Sequence, residues 1–212
     1  YGRSVGQFLR EEVTLPLGAD YNLGLTPEEI ARLSDMHENP ANGFFKMAFD
    51  SSTPLGRAFK SMPPGLGFFQ NIPQMREMEL PSFGGHGNAR AMAQIYAMLA
   101  GNGEVGGVRL LSEAAVEQAS QLAWELDCIM TRRQLRMGYG FMHNEPSGAP
   151  MGENMKAFGH TGSGGAFTWC DRERNLAFAY CTNFQRDGVG IGPRGALLSI
   201  AAGGGDRPDW WQ

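Results

Sequence analysis

Two runs near the carboxy-terminal end of the chain have the patterning that is typical of β-strands. The first run, Ala166 to Cys170, alternates small or polar residues with aromatic ones, and the second, Leu176 to Asn183, is mostly apolar. The charged residues between them, Asp171 to Asn175, indicate a turn. The pattern therefore predicts a β-hairpin, and Met137 to His143 predicts one more strand upstream of it.

Helices are predicted where a capping residue precedes apolar positions spaced three or four apart. The predicted helices run from Ser4 to Pro16, from Thr26 to about Asp35, from Asn88 to Leu99, from Ser112 to about Ala123, and from Pro193 to Gly203. In the last helix, Ala196, Leu197 and Ile200 are expected to share the buried face. The Thr26 start is strong, because proline follows at the first helical position and Glu29 completes a capping box.

Periodicity fails between His37 and Pro81, where prolines interrupt every candidate element except a short helix predicted around Leu55 to Lys60. Long irregular segments in compact domains often line a binding site. Two interpretations stay open for this segment: a lid or pocket wall, and a packed surface excursion.

Composition narrows the function classes. The chain has 212 residues, a net charge of −4 and a pI near 5.6, which argues against a nucleic-acid partner, since that affinity needs clustered lysine and arginine. Three cysteines leave one unpaired, so we expect no disulfide framework, and a reducing, cytoplasmic compartment fits best. No apolar run is long enough for a membrane span. The twelve methionines are interpreted as adaptable core or pocket filler.

Several short motifs suggest chemistry but have simpler explanations. His86 precedes a helix, where an anion can bind, but a plain helix-entry loop is the favoured interpretation. His37 with Glu38, and His143 with Glu145, lack the spacing of a metal site, so we expect no metal. The glycines from Gly101 to Gly106 match a dinucleotide fingerprint but follow a helix instead of a strand, which excludes that function.

The most informative stretch is Phe158 to Phe167, which places His160-Thr161-Gly162 among glycines just ahead of the predicted hairpin. Composition alone favours a turn here. Acyl transfer, however, needs backbone N–H donors and polar side chains that hold a substrate oxygen, and glycines let a substrate approach the backbone closely. This stretch is therefore the candidate active site.

His160-Thr161-Gly162 resembles the third signature of the serine β-lactamase and penicillin-binding-protein superfamily, whose commoner form is Lys-Thr-Gly. The His-Thr-Gly variant is seen in many β-lactamase-related esterases. Other segments stand in that family's order: Phe8 to Glu11, Pro16 to Gly18, Gly85 to Arg90, Gly107 to Ser112, Met137 to Phe141, and Asn183. The resemblance covers nearly the whole chain, with Ala19 to Pro81 the weakest part.

Two signatures of that family are missing from the chain. The nucleophile lies in Ser-x-x-Lys, but Gly43, Arg57 and Glu153 stand three positions before the three lysines. No tyrosine opens a Tyr-x-Asn either. The resemblance places both motifs upstream of Tyr1, so we expect this chain to be the carboxy-terminal portion of a longer serine hydrolase.

The resemblance implies an α+β fold of the β-lactamase/transpeptidase type, an antiparallel sheet flanked by helices plus a helical region. We expect residues 1–136 to form the mostly helical and loop region. Residues 137–212 should carry the strand, the hairpin and the final helix of the sheet region, in one structural unit.

The implied function is that of an esterase acting on a small-molecule ester or amide through an acyl-enzyme, without a cofactor. His160 is the expected catalytic side chain, the backbone N–H of Ser163 the expected oxyanion donor, and Thr161, Gly162 and Gly164 the substrate-binding positions. Two alternatives stay open: a β-lactamase or D-amino acid peptidase, and a non-catalytic binding module or subunit. We also expect self-association, or association with an amino-terminal half.

Overall fold

A six-stranded antiparallel sheet forms the centre of the molecule, and its strands lie side by side in chain order. The computed structural model describes residues 2–37, 39, 48, 50–61, 69–130, 133–162, 164–185 and 191–205. The strands of this sheet are β5 Trp124–Asp127, β6 Gln134–Met137, β7 Met142–His143, β8 Phe158–Thr161, β9 Phe167–Asp171 and β10 Leu176–Tyr180. Two small sheets pair β1 Tyr21–Leu23 with β2 Gly85–Gly87, and β3 Glu104–Val105 with β4 Val108–Arg109.

The helices lie before the sheet in the chain, except for the last one. They are α1 Val5–Leu9, α2 Leu15–Leu17, α3 Pro27–Ile30, α4 Pro54–Ala58, α5 Pro73–Glu77, α6 Ala89–Ala100, α7 Glu113–Ala119 and α8 Gly192–Gly203. A π-helical stretch, Arg10–Thr14, joins α1 to α2, and 3₁₀ turns occupy Phe59–Ser61 and Phe69–Asn71. None of the helices within the described ranges is long and apolar enough to cross a bilayer.

Two hydrophobic cores cover the two faces of the central strands. On one face, α6 packs against β9 and β10, and its Met98 and Leu99 join Phe158 and Cys170 in the first core. On the other face, Trp169 and its neighbours pack with α8 in the second core. Strand β9 is therefore buried along its whole length, and β8 is buried at Phe158 and Gly159, which fixes this part of the sheet rigidly.

The predicted hairpin is confirmed: β9 and β10 pair in register from Leu176 opposite Asp171 to Tyr180 opposite Phe167. The segment Met137 to His143, predicted as one strand, is instead the end of β6, a turn and then β7. The turn closes because the Gly138 N–H donates to Phe141 O at 2.8 Å. The sheet also begins before residue 137, since β5 precedes that position and β6 begins at Gln134.

The capping signals predicted the helix starts correctly. Asn88 Oδ1 accepts from the Ala91 N–H at 3.0 Å, and the Thr26–Glu29 capping box is complete. Helix ends were predicted less well, because α3 and α7 stop several residues before Asp35 and Ala123. Between residues 37 and 81 the predicted short helix is present as α4. Helix α5 lies in the same segment and was not predicted from the pattern. The rest of the prediction for this segment falls partly on residues 38, 40–47, 49 and 62–68, which lie outside the described residues.

The buried face of α8 differs from the predicted one. Ala196 is buried as expected, but Leu197 is 41% exposed. The residues that turn inward with Ala196 are small: Gly195, Ser199 and Gly203. The cause is Trp169, because its ring would lie 2.6 Å from a Cβ on Gly203, so this helix can approach the sheet only through small side chains.

Candidate active site

Strand β8 carries the predicted site and lies inside the sheet, between β7 and β9. His160 is opposite Thr168 of β9, and Phe158 is opposite Cys170. Because side chains two apart on a strand share a face, His160 points to the same face as Phe158, the face that α6 covers further along. None of the described residues covers this face of the sheet at His160, and the imidazole is exposed.

The orientation of the His160 ring is fixed by one short hydrogen bond. Its Nδ1 lies 2.7 Å from the carbonyl oxygen of Thr161. A carbonyl only accepts, so Nδ1 carries the hydrogen, and in the uncharged form of an imidazole with this tautomer the lone pair lies on Nε2. The ring can therefore accept a hydrogen bond or a proton from a group placed above this face of the sheet.

Thr161 lies on the opposite face of the strand. It is opposite Phe167, a residue of the second core, and its hydroxyl donates to the sulfur of Met142 at 3.6 Å. Thr161 also lines a cavity of about 40 Å³ together with Leu135 and Ala149. The structure therefore does not bring the side chains of His160 and Thr161 together, and Thr161 can serve the His160 face only through its backbone.

Among the described residues, β8 has no partner strand on its β7 side beyond Gly159, which leaves an open backbone edge there. Strand β7 pairs with β8 at Phe158 and Gly159, and this pairing does not extend to His160 or Thr161. The Gly162 N–H donates to Ala166 O in the direction of β9, at 2.7 Å. Since N–H groups alternate in direction along a strand, the Thr161 N–H points away from β9, toward this open edge. A substrate carbonyl could reach a donor here.

A tight turn of glycines connects β8 to β9. The Gly165 N–H donates to Gly162 O at 3.1 Å, and Gly165 has φ +101°, a conformation that favours glycine. Gly162 and Gly164 lie in this turn next to His160, so the structure brings these three predicted positions together. Ser163, the predicted oxyanion donor, lies outside the described residues.

Sequence patterns gave no indication of three residues that lie at this end of the sheet. Burial raises the pKa of the Tyr21 hydroxyl, and the charged form of Cys181, which follows β10, would raise it further. The pKa of the Cys181 thiol is itself raised by partial burial. The third residue is Met36, whose methyl group approaches Gly164. Irregular segments place Cys181 and Met36 there, and such contacts leave no periodic signal.

Two other histidines, His86 and His143, are at least partly buried in the packing. Burial lowers the pKa of His143, the positive charge of Arg136 lowers it further, and among the described residues its Nε2 has no well-formed hydrogen bond. Burial and the charge of Arg76 lower the pKa of His86 in the same way. Both rings are therefore neutral parts of the packing. Within the described ranges, no group of three or more His, Cys, Asp or Glu side chains could hold a metal ion.

Comparison with known proteins identifies the class. The family model described as Beta-lactamase matches residues 1–200. The chain therefore belongs to the β-lactamase family, and its antiparallel sheet flanked by helices is the fold of the β-lactamase/transpeptidase type that the sequence predicted.

Individual relatives agree with this assignment. The chain is 30% identical over 190 residues to the Esterase/beta-lactamase LipL of Mycobacterium tuberculosis (strain ATCC 25618 / H37Rv), covering 86% of this chain and 43% of the relative. A penicillin-binding protein homolog from Caulobacter crescentus matches with 30% identity and a TM-score of 0.78, over 95% of this chain and 53% of that one. A family VIII carboxylesterase matches with 28% identity and a TM-score of 0.82, over 95% of this chain and 52% of the carboxylesterase chain. The chain thus spans about half the length of these relatives.

Proposed function

We propose that this chain is the carboxy-terminal part of a serine esterase that works through an acyl-enzyme, with its Ser-x-x-Lys and Tyr-x-Asn motifs upstream. The observation that carries the proposal is the geometry of His160. In a chain of the β-lactamase family, the His-Thr-Gly strand presents an exposed, oriented imidazole beside an open backbone edge.

In the proposed reaction the upstream serine oxygen attacks the ester carbonyl carbon, and its proton passes to the upstream base. The tetrahedral intermediate collapses when the bond to the alcohol oxygen breaks and that oxygen receives the proton. Water then attacks the acyl-enzyme by the same route and releases the acid. The backbone N–H of Ser163 is the proposed oxyanion donor, Gly162 and Gly164 leave room for the substrate, and Nε2 of His160 accepts a hydrogen bond from the acid–base group.

Substrate preference follows from the charge at position 160. A lysine there would offer a permanent positive charge to a carboxylate-bearing substrate, whereas a histidine can stay neutral near pH 7. We therefore place neutral esters ahead of β-lactams and D-amino acid peptides. The similarity of the chain to a family VIII carboxylesterase and to the esterase/beta-lactamase LipL supports this choice.

A non-catalytic module on the same scaffold is the second candidate, because no Ser-x-x-Lys occurs in these 212 residues. The two candidates are separated by testing the full-length protein with a fluorophosphonate probe, short-chain nitrophenyl esters and a chromogenic cephalosporin. An esterase is labelled at one serine and turns over the esters faster than the cephalosporin. A protein that is neither labelled nor active is the module, and preferential turnover of the cephalosporin indicates a β-lactamase.

A further inference from the structure

The segment Asp35 to His37, which we call the clamp segment, connects the helical part of the chain to the end of the sheet. The His37 N–H donates to Asn183 O at 2.6 Å, and the Gln185 N–H donates to His37 O at 2.9 Å. Both partners lie in the segment that follows β10, which ends at Tyr180. The clamp segment is therefore fixed at the end of the sheet where the turn from β8 to β9 lies.

Asn71 holds the clamp segment from the other side. Its Oδ1 accepts from the Met36 N–H at 2.9 Å, and its Nδ2 donates to Met36 O at 2.8 Å. One side-chain amide thus satisfies both backbone groups of Met36, as a neighbouring strand would. With its backbone held from both sides, Met36 has little freedom to move relative to the sheet.

Arg76 sets the orientation of the Asn71 amide. The Nη2 of Arg76 donates to Asn71 Oδ1 at 2.9 Å and to Asp35 Oδ1 at 2.9 Å, and its Nε donates to Gln70 O at 3.0 Å. The side chain of Arg76 is only 7% exposed. Because a guanidinium only donates, the amide oxygen must face Arg76, and the amide nitrogen is left to bind Met36 O.

The side chain of Met36 lies against the glycine turn of the candidate site. Its Cε would lie 3.5 Å from a Cβ on Gly164, an ordinary van der Waals distance. A methionine on a rigid backbone gives a nonpolar surface that adapts to the group packed on it. The methyl group stands beside the turn that the proposed function assigns to the substrate carbonyl.

We propose that Met36 is a specificity-determining residue, whose thioether forms the nonpolar wall met by the acyl chain of the ester. Asn71 and Arg76 are positioning residues, because they act on the substrate only through Met36. This inference rests on the proposed function, since it assumes that an acyl group is held at the β8–β9 turn.

The test uses the full-length protein and nitrophenyl esters of acetate, butyrate and octanoate, which change the acyl chain and keep the alcohol constant. Met36→Ala should raise the octanoate-to-acetate ratio of kcat/KM about tenfold, the size expected when a few methylenes of pocket space are opened. Asn71→Ala should shift the ratio in the same direction, and Asn71→Asp, which keeps the acceptor but loses the donor to Met36 O, should shift it less. A merely structural role would lower kcat/KM for all three esters equally.

Met155→Ala is the matched control, because Met155 is 44% exposed in the loop before β8, and it should leave the ratio unchanged. An unchanged ratio in Met36→Ala, in a protein that hydrolyses the esters, overturns the role of Met36 and leaves the esterase function standing. A wild-type protein that is neither labelled by fluorophosphonate nor active overturns the proposed function itself.

Discussion

Replacement of His160 is the most direct test of the candidate site. The imidazole is exposed, and its hydrogen bond is to the carbonyl of the next residue at 2.7 Å. His160→Ala therefore removes no core packing and leaves no buried side chain unpaired, so the free energy of unfolding should change by less than about 0.5 kcal/mol. A loss of activity in this variant can then be attributed to chemistry.

We expect kcat of the full-length protein to fall about 10²-fold or more, as it does when an acid–base or oxyanion group is lost. That factor corresponds to about 2.7 kcal/mol of transition-state stabilisation. His160→Lys should shift preference from a neutral ester toward a carboxylate-bearing cephalosporin, because it adds a fixed charge. Steady-state kinetics on both substrates measure the two effects.

Lys156→Ala is a suitable control, since Lys156 is a surface residue with an 81% exposed side chain paired to Glu173, and such pairs contribute little. It should leave kcat and the melting temperature unchanged. If His160→Ala keeps kcat within twofold of wild type on every substrate, the ring only shapes the entry to the strand, and the placement of the active site on β8 is refuted.

Three further predictions concern stability and assembly. Ser199→Ala leaves the Trp169 Nε1–H and Pro150 O unpaired in the core. The free energy of unfolding measured by denaturant titration should therefore fall by about 2–4 kcal/mol, and an unchanged denaturation midpoint would contradict this. Burial lowers the pKa of His143 below the ordinary 6.5, so on acidification the unfolded chain takes up this proton at a higher pH than the folded chain does. The free energy of unfolding should therefore fall as the pH drops below about 6.5, and His143→Gln should make it less dependent on pH in that range. The isolated 212-residue chain should neither hydrolyse esters nor bind fluorophosphonate. Within the described residues β10 pairs on one side only, so this edge should make the chain associate; a monodisperse monomer in light scattering would contradict that expectation.

The parts of the fold that were predicted correctly depend on contacts close in sequence. The Asn88 cap and the Thr26 capping box each join residues three apart, and the β9–β10 hairpin closes through a short charged turn. A local pattern contains all the information that such elements need. The His-Thr-Gly strand was located for the same reason, because its residues are consecutive.

The parts that were missed depend on contacts distant in sequence. Trp124 and Leu126 alternate with acidic residues, as in a strand. The residues between β5 and β6 have no turn signature, however, so the sequence did not indicate that these two segments pair. The inward face of α8 is decided by Trp169, and the contact of Met36 with Gly164 crosses most of the chain. Hydrophobic periodicity carries no information about such partners, so the wall of the candidate site could not be predicted.

The chain order of the six strands has a consequence for how the protein folds. From β5 to β10 each strand pairs with the strand that follows it, so the sheet can grow by adding one hairpin at a time, with a small loop-closure entropy at each step. Rates of folding rise as contacts become more local. The slow event is then the docking of α6 on β9 and β10, since it joins residues far apart in the chain, and substitutions in that contact should slow folding more than substitutions within the hairpins.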